Sequence, residues 1–157
     1  MSKIRLRALT TEDIQKTLSW HNQEDIIEYY LGHPFPIDVE MERKWYEKVL
    51  TTNFPVSVFG VELVEEKELV GITLLKDINM INRSSEFAIY IGEKNCRGKG
   101  IGFEATLATF KFGFEKINLH RIFLKVLKNN EKAINLYKKM GMIQEGILRK
   151  SIFKNSC

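Results

Sequence analysis

Glu86-Phe87-Ala88-Ile89-Tyr90-Ile91-Gly92-Glu93-Lys94-Asn95-Cys96-Arg97-Gly98-Lys99-Gly100-Ile101-Gly102 is the stretch whose reading decides the fold. Residues 85–91 are rich in branched and aromatic side chains and read as a strand. Residues 101–116 place Phe103, Leu107, Phe110 and Phe114 at i, i+4, i+7 and i+11, a helical stripe. Residues 120–127 are strand-like again. Strand, helix and strand make a βαβ unit, which implies a parallel pair joined by a right-handed crossover. Between the first strand and the helix stand Gly98, Gly100 and Gly102, at alternate positions. They let the backbone approach a ligand closely. The N–H groups of Arg97, Gly98, Lys99, Gly100, Ile101 and Gly102 then sit at a helix N-terminus, where anions bind. Lys94, Arg97 and Lys99 add positive charge, so the segment reads as a phosphate or pyrophosphate cradle. It is not a P-loop, which needs Gly-x-x-x-x-Gly-Lys-Ser/Thr. Nor is it a dinucleotide fingerprint, because Phe103 stands where the third glycine belongs.

Upstream the pattern is different. Ile4, Leu6 and Ala8 alternate with Arg5 and Arg7, a half-buried strand. Thr10 and Asp13 form a capping-box pair for a helix reaching about Trp20. A short helix is expected over 24–31, a Pro-containing loop over 32–36, and a third helix, capped by Asp38, through Leu50. The period then drops to two over 56–64 and 69–76, with a turn at 65–67. With 85–91 these strands form an antiparallel meander. Downstream, Asn129 or Asn130 caps a last helix that Gly141 ends as a left-handed cap, and a strand is expected from Gly146 to about Phe153.

The chain has 157 residues, 44% of them hydrophobic, enough for a single domain over 1–157 with one core. The net charge of +4 is spread without blocks, and no recognition motif accompanies it, which argues against a nucleic-acid arm. No run approaches the length of a membrane helix, and the opening residues alternate instead of forming an apolar leader. Two cysteines, Cys96 and Cys157, imply no disulfide framework. A cytoplasmic protein is expected. His21, His33 and His120 show no metal-ligand spacing, and Cys96 has no helper histidine nearby in sequence, so neither a metal site nor a thiol nucleophile is expected.

Two motifs together carry a resemblance. Arg97-Gly98-Lys99-Gly100-Ile101-Gly102 is similar to the pyrophosphate-binding signature of the GCN5-related N-acetyltransferases (GNAT), Gln/Arg-x-x-Gly-x-Gly/Ala. Asn130-Glu131-Lys132-Ala133-Ile134-Asn135-Leu136-Tyr137, closed by Gly141-Met142, resembles the later motif of that family. The resemblance runs from about Ile4 to Phe153. It is greatest for the branch holding ribosomal-protein, spermidine and amino-sugar N-acetyltransferases. It implies an α/β mixed sheet of GNAT type, with the meander joined to a parallel pair splayed around acetyl-CoA and helices on both faces. It also implies transfer of acetyl from acetyl-CoA to a primary amine by direct attack, without a metal.

The residue roles follow from the same resemblance. The cradle holds the pyrophosphate, and the backbone around Tyr90 and Ile91 pairs with the pantetheine arm in the splay. Tyr137 protonates the departing CoA thiolate, being protonated at neutral pH. Asn130 is either a pantetheine ligand or an ordinary cap. A carboxylate or a water relay must take the amine proton; by its own position Glu86, which shares the parity of Ala88 and Tyr90 on the strand beside the cleft, is the candidate base or else a solvent-facing or salt-bridged glutamate. Glu24, Asp25 and Glu28 lie on the early helices of the acceptor side, where they either attract a cationic amine or form a solvated face. Among the aromatics there, only Phe35 has the loop position of a pocket residue. A CoA-binding module without turnover is the rival reading, and the retained Tyr137 argues against it. Two departures stand out. Spermidine enzymes carry acids before the early-loop proline, where this chain has Gly32-His33-Pro34. The family's usual last strand also has no counterpart before Ser156-Cys157, so the expectation is either a sheet edge covered by a partner subunit, in a homodimer or higher homo-oligomer, or a marginally stable chain.

Overall fold

The computed structural model describes residues 2–31, 35–51 and 56–153. The first strand, β1 (Ile4–Arg7), enters the helical layer through a one-turn 3-10 helix at Thr11–Asp13. There the Thr10 N–H donates to Asp13 Oδ2 at 2.8 Å, the reciprocal half of the expected capping box. Helices α1 (Ile14–His21), α2 (Glu24–Tyr29) and α3 (Val39–Thr51) follow. Asp38 caps α3 by accepting from the Met41 N–H at 2.8 Å. Strands β2 (Ser57–Leu63), β3 (Leu69–Asn79) and β4 (Ser84–Ile91) form the meander, and β1 extends it antiparallel along β2. A 3-10 turn at Lys94–Cys96, helix α4 (Ile101–Glu115), strand β5 (Arg121–Phe123) and helix α5 (Glu131–Lys139) complete the fold. The sheet order is β1-β2-β3-β4-β5, with β5 parallel to β4.

Helices cover both faces, as expected. On one face, Trp20 of α1, Ile26 of α2 and Tyr46 of α3 pack on Ile72, Leu74 and Tyr90. On the other, Ile101 and Ala105 of α4 pack on Val61 and Val70. Farther along that face, Phe110 and Tyr137 pack against Leu75 and Phe87. One corner is held by charge. Buried Glu62 of β2 accepts from Arg5 Nε at 2.6 Å and Arg7 Nε at 2.5 Å, and Arg7 also grips both oxygens of Asp13 at 2.8 Å.

Three expectations need correction. The aromatic stripe of α4 marks the helix but not its buried face. Ala105, Thr106, Thr109 and Gly113 face the sheet, whereas Leu107 is 53% exposed and Phe114 44%. Small residues win that face because α4 lies close to the strands. Thr109 Oγ1 is 2.8 Å from Thr73 Oγ1, and a Cβ on Gly113 would sit 2.9 Å from Ile122 Cδ1. Second, β5 has three residues instead of the eight of 120–127. Third, no strand forms over 146–153, and Ile147, Leu148 and Phe153 are exposed there. A strand exists only through its neighbours, and no partner strand lies beside these residues among those described. The loop triplet at 32–34 and residues 154–157 lie outside the described residues.

Candidate active site

The β4–β5 pair separates almost as soon as it forms. Register partners run only from Ser84↔Arg121 to Glu86↔Phe123, while β4 continues to Ile91. The Gly92 N–H donates to Val70 O, so alternation along β4 turns the Tyr90 backbone toward β3 and that of Ile89 and Ile91 toward the gap. The free strand edge is therefore carried by Ile89 and by the Ile91 N–H, the Ile91 carbonyl being taken by Arg97, and not by Tyr90 as expected. This gap ends at the glycine loop.

Gly98 and Gly100 adopt φ of +75° and +84°. No protein atom lies within 4 Å of where a Cβ would stand on either, so the left-handed backbone alone calls for glycine there. Gly100 is the residue before α4. Among the described residues, the N–H groups of Gly98, Lys99, Gly100, Ile101, Gly102 and Phe103 have no acceptor. Successive free donors ahead of a 15-residue helix are the chemistry of an anion site. A pyrophosphate-bearing ligand such as acetyl-CoA fits this donor set.

Arg97 does something else. Its N–H donates to Lys94 O at 3.2 Å. Its guanidinium points inward, donating to Ile91 O at 2.8 Å, Gly92 O at 3.0 Å, Gln23 Oε1 at 3.2 Å and Asp25 Oδ2. Arg97 thus clamps the loop to β4 and α2, and leaves Lys94 and Lys99 as the outward cations. Burial raises the Asp25 carboxyl, but the Arg97 hydrogen bond and charge outweigh it and hold it below the usual range. Asp25 is a clamp partner instead of an amine-attracting acid. Gly92 lies flat against Trp20, where a Cβ would be 2.0 Å from the indole, and Trp20 Nε1 donates to Glu93 Oε1 at 3.1 Å. Cys96 is buried, which pushes its thiol up and removes it as a nucleophile.

Asn130 is the cap of α5, accepting from the Ala133 N–H at 3.2 Å. At the far end Met142 N–H donates to Tyr137 O and Gly141 N–H to Lys138 O, both at 3.0 Å, with Gly141 at φ +85°. Tyr137 packs its ring edge-on to Phe87, 6.4 Å between centroids, beside the gap. Burial pushes its phenol up to about 12. Its hydroxyl makes no hydrogen bond among the described residues, so its proton is uncommitted.

On the opposite face of β4 lies a cavity of about 260 Å³. The rings of His21, Tyr30, Phe35, Trp45 and Tyr90 line it, with Ile26 and Leu74 beneath. Phe35 takes the expected pocket position. Its carboxylate is Glu42, 1% exposed, not singled out as a site residue by sequence pattern. Glu86 has the expected parity, on the face of Ala88 and Tyr90, but does not line the cavity. Its carboxylate is paired with Lys76 at 3.3 Å and Lys125 at 3.5 Å. Among the described residues there is no metal-ligand cluster and no helix long and apolar enough to cross a membrane.

Comparison with known proteins gives consistent relatives. A family model described as an acetyltransferase (GNAT) domain matches residues 3–143. A spermidine N(1)-acetyltransferase of Vibrio cholerae is 34% identical over 98% of this chain and 87% of its own. One of Escherichia coli is 33% identical over 97% and 79%. The crystal structure of the spermidine N-acetyltransferase from Vibrio cholerae in complex with CoA and spermine superposes with a TM-score of 0.91. It is 32% identical, over 99% of this chain and 89% of that one. The same Vibrio cholerae enzyme is also known in a dodecameric structure.

Proposed function

The chain belongs to the GNAT acetyltransferase family, and from that premise we propose how its two half-sites transfer acetyl from acetyl-CoA to a primary amine. One observation carries the reading. The free N–H donors of residues 98–103 follow the end of β4 that β5 leaves unpaired, and the ring-lined cavity lies against Tyr90 on the same end of that strand.

Acetyl-CoA supplies an activated thioester. The N–H groups from Gly98 to Phe103 hold its pyrophosphate, with Lys94 and Lys99 outside them. The Ile89 and Ile91 edge receives the pantetheine arm as an added strand and offers an N–H to the carbonyl oxygen as charge develops. Tyr137 gives its proton to the leaving sulfur. Asn130 sets the start of α5 and so the height of Tyr137. The acceptor enters from the cavity side, where aromatic walls suit an amine on an apolar carrier. Spermidine, the substrate in the relatives' names, is the first acceptor to try; since Gly32-His33-Pro34 lacks the acids that the resemblance to spermidine enzymes implies there, other aliphatic and aromatic amines belong beside it. The protein works as a homo-oligomer in the cytoplasm; the dodecameric relative and the exposed apolar residues of 143–153 support the first part.

Direct attack requires both substrates at once. Thermal unfolding with CoA and then with CoA plus an acceptor tests this. Each is expected to raise Tm, the acceptor more in the presence of CoA. Stabilisation by NAD or ATP equal to that by CoA would contradict the reading.

A further inference from the structure

A chain of hydrogen bonds runs under the acceptor cavity, and none of the roles above uses it. Tyr90 Oη lies 2.7 Å from His21 Nε2, and His21 Nδ1 lies 2.7 Å from Glu42 Oε2. The other Glu42 oxygen accepts from Thr17 Oγ1 at 2.5 Å. The three residues come from β4, the end of α1 and α3, and all three face the cavity. A buried carboxylate costs free energy unless it is paired, and this one is paired to an imidazole instead of to a fixed cation. That choice suits a group that must gain and lose a proton.

We propose that Tyr90, His21 and Glu42 form the proton relay that takes the proton released by the acceptor amine. The inference rests on the acetyl-transfer reading above. Tyr90 stands on the strand whose Ile89 edge is open and its side chain lines the acceptor cavity, which puts its hydroxyl on the side from which the amine approaches. Burial keeps the phenol protonated far above its usual range, so its O–H donates to His21 Nε2 and leaves Nδ1–H for Glu42. As the N–C bond forms and the C–S bond breaks, the amine proton passes to Tyr90 Oη. The proton of Tyr90 moves to His21 Nε2, and Glu42 holds the resulting imidazolium at Nδ1. Tyr137 supplies the separate proton for sulfur, and exchange with water restores both groups. His21 reaches water directly, with a side chain 15% exposed. Glu86, already holding two lysines, is displaced as the base. Tyr90 touches the substrate; His21 and Glu42 act through it.

The test is kinetic and spectroscopic. The titratable groups in contact with His21 are Glu42 of α3 and Tyr90 of β4; Tyr46 joins them through Thr17, and Tyr30 stands edge-on to Tyr90. Tyr90→Phe removes one oxygen and keeps the ring packing. It and His21→Asn are each expected to lower kcat about a hundredfold. KM for acetyl-CoA should stay within about twofold, and the acidic limb of kcat against pH should disappear. The double variant should be no slower than either single one, because the groups act as a unit. In the wild type, 15N resonances of the His21 ring are expected to show Nδ1 protonated and Nε2 bare. An active wild type whose Tyr90→Phe variant keeps both kcat and the acidic limb would overturn the relay alone, as would an Nε2–H tautomer. A wild type that acetylates no amine would overturn the acetyl-transfer reading and the relay's role with it.

Discussion

Tyr137 owes its place to two caps. Asn130 fixes where α5 begins and Gly141 fixes where it ends, with the carbonyl of Tyr137 itself accepting from Met142. Burial pushes the phenol up to about 12, so it stays protonated across the neutral and mildly alkaline range. We predict that Tyr137→Phe lowers kcat by one to two orders of magnitude, about 1.4–2.8 kcal/mol of barrier, without weakening acetyl-CoA binding. The wild type should show no alkaline loss of kcat from this residue below about pH 10. Initial rates from pH 6 to 10, with calorimetric titration of acetyl-CoA, check both. Gly100 makes a second case. Gly100→Ala strains a left-handed residue by about 1–2 kcal/mol. Its methyl meets no protein atom, so in the proposed cradle a lost affinity reports on the bound pyrophosphate and not on a clash within the fold. Acetyl-CoA affinity should fall at least tenfold while the protein stays folded, read by calorimetry and circular dichroism.

Elements are held together here by charged side chains as well as by packing. At the β1–β2–α1 corner, burial acts to raise Asp13 and Glu62, but hydrogen bonds from Arg7, and for Glu62 also from Arg5, outweigh it and hold both carboxyls low. A carboxyl whose folded value lies below its unfolded one stabilises fully above the unfolded range, near 3.8 for Asp13 and 4.5 for Glu62. That contribution is lost as pH falls through the lower folded values. Denaturant unfolding should therefore weaken below about pH 4, and Arg7→Met should be less stable at pH 7 with a flatter acid dependence. The Arg97 clamp joins β4, the glycine loop and α2, and Arg97→Met is expected to cost about 2–3 kcal/mol, seen as a lower Tm. How legible the elements were depended on how local their causes are. β4, the glycine loop and α4 were readable because alternation, glycine spacing and helical period are local. The short β5 and the unformed strand over 146–153 were not, because a strand is decided by its neighbour. The buried face of α4 was missed because closeness to the sheet favours Ala105, Thr109 and Gly113 over larger apolar residues. Tyr137 could be found from its motif. His21, Glu42 and Tyr90 meet only in the fold, and no spacing announces them.

The whole molecule is a sheet with two different faces. Helices α1, α2 and α3 build the acceptor cavity on one, α4 and α5 bring the anion cradle and Tyr137 to the other, and β4 belongs to both. This is why β4 carries chemistry at its edge and in its side chains alike. Occupancy of the donor side should stabilise the entire domain. Acetyl-CoA at about 100 times its Kd adds about 2.7 kcal/mol, read as a rise in Tm that NAD and ATP do not produce. The most direct test of the account is the initial rate of CoA thiol release from acetyl-CoA in the presence of spermidine and a panel of aliphatic and aromatic amines, with the product identified by mass spectrometry. The account predicts release that depends on the amine and matches acetylated amine one for one. Tight acetyl-CoA binding with no thiol release for any amine would contradict it and leave a binding module in place of an enzyme.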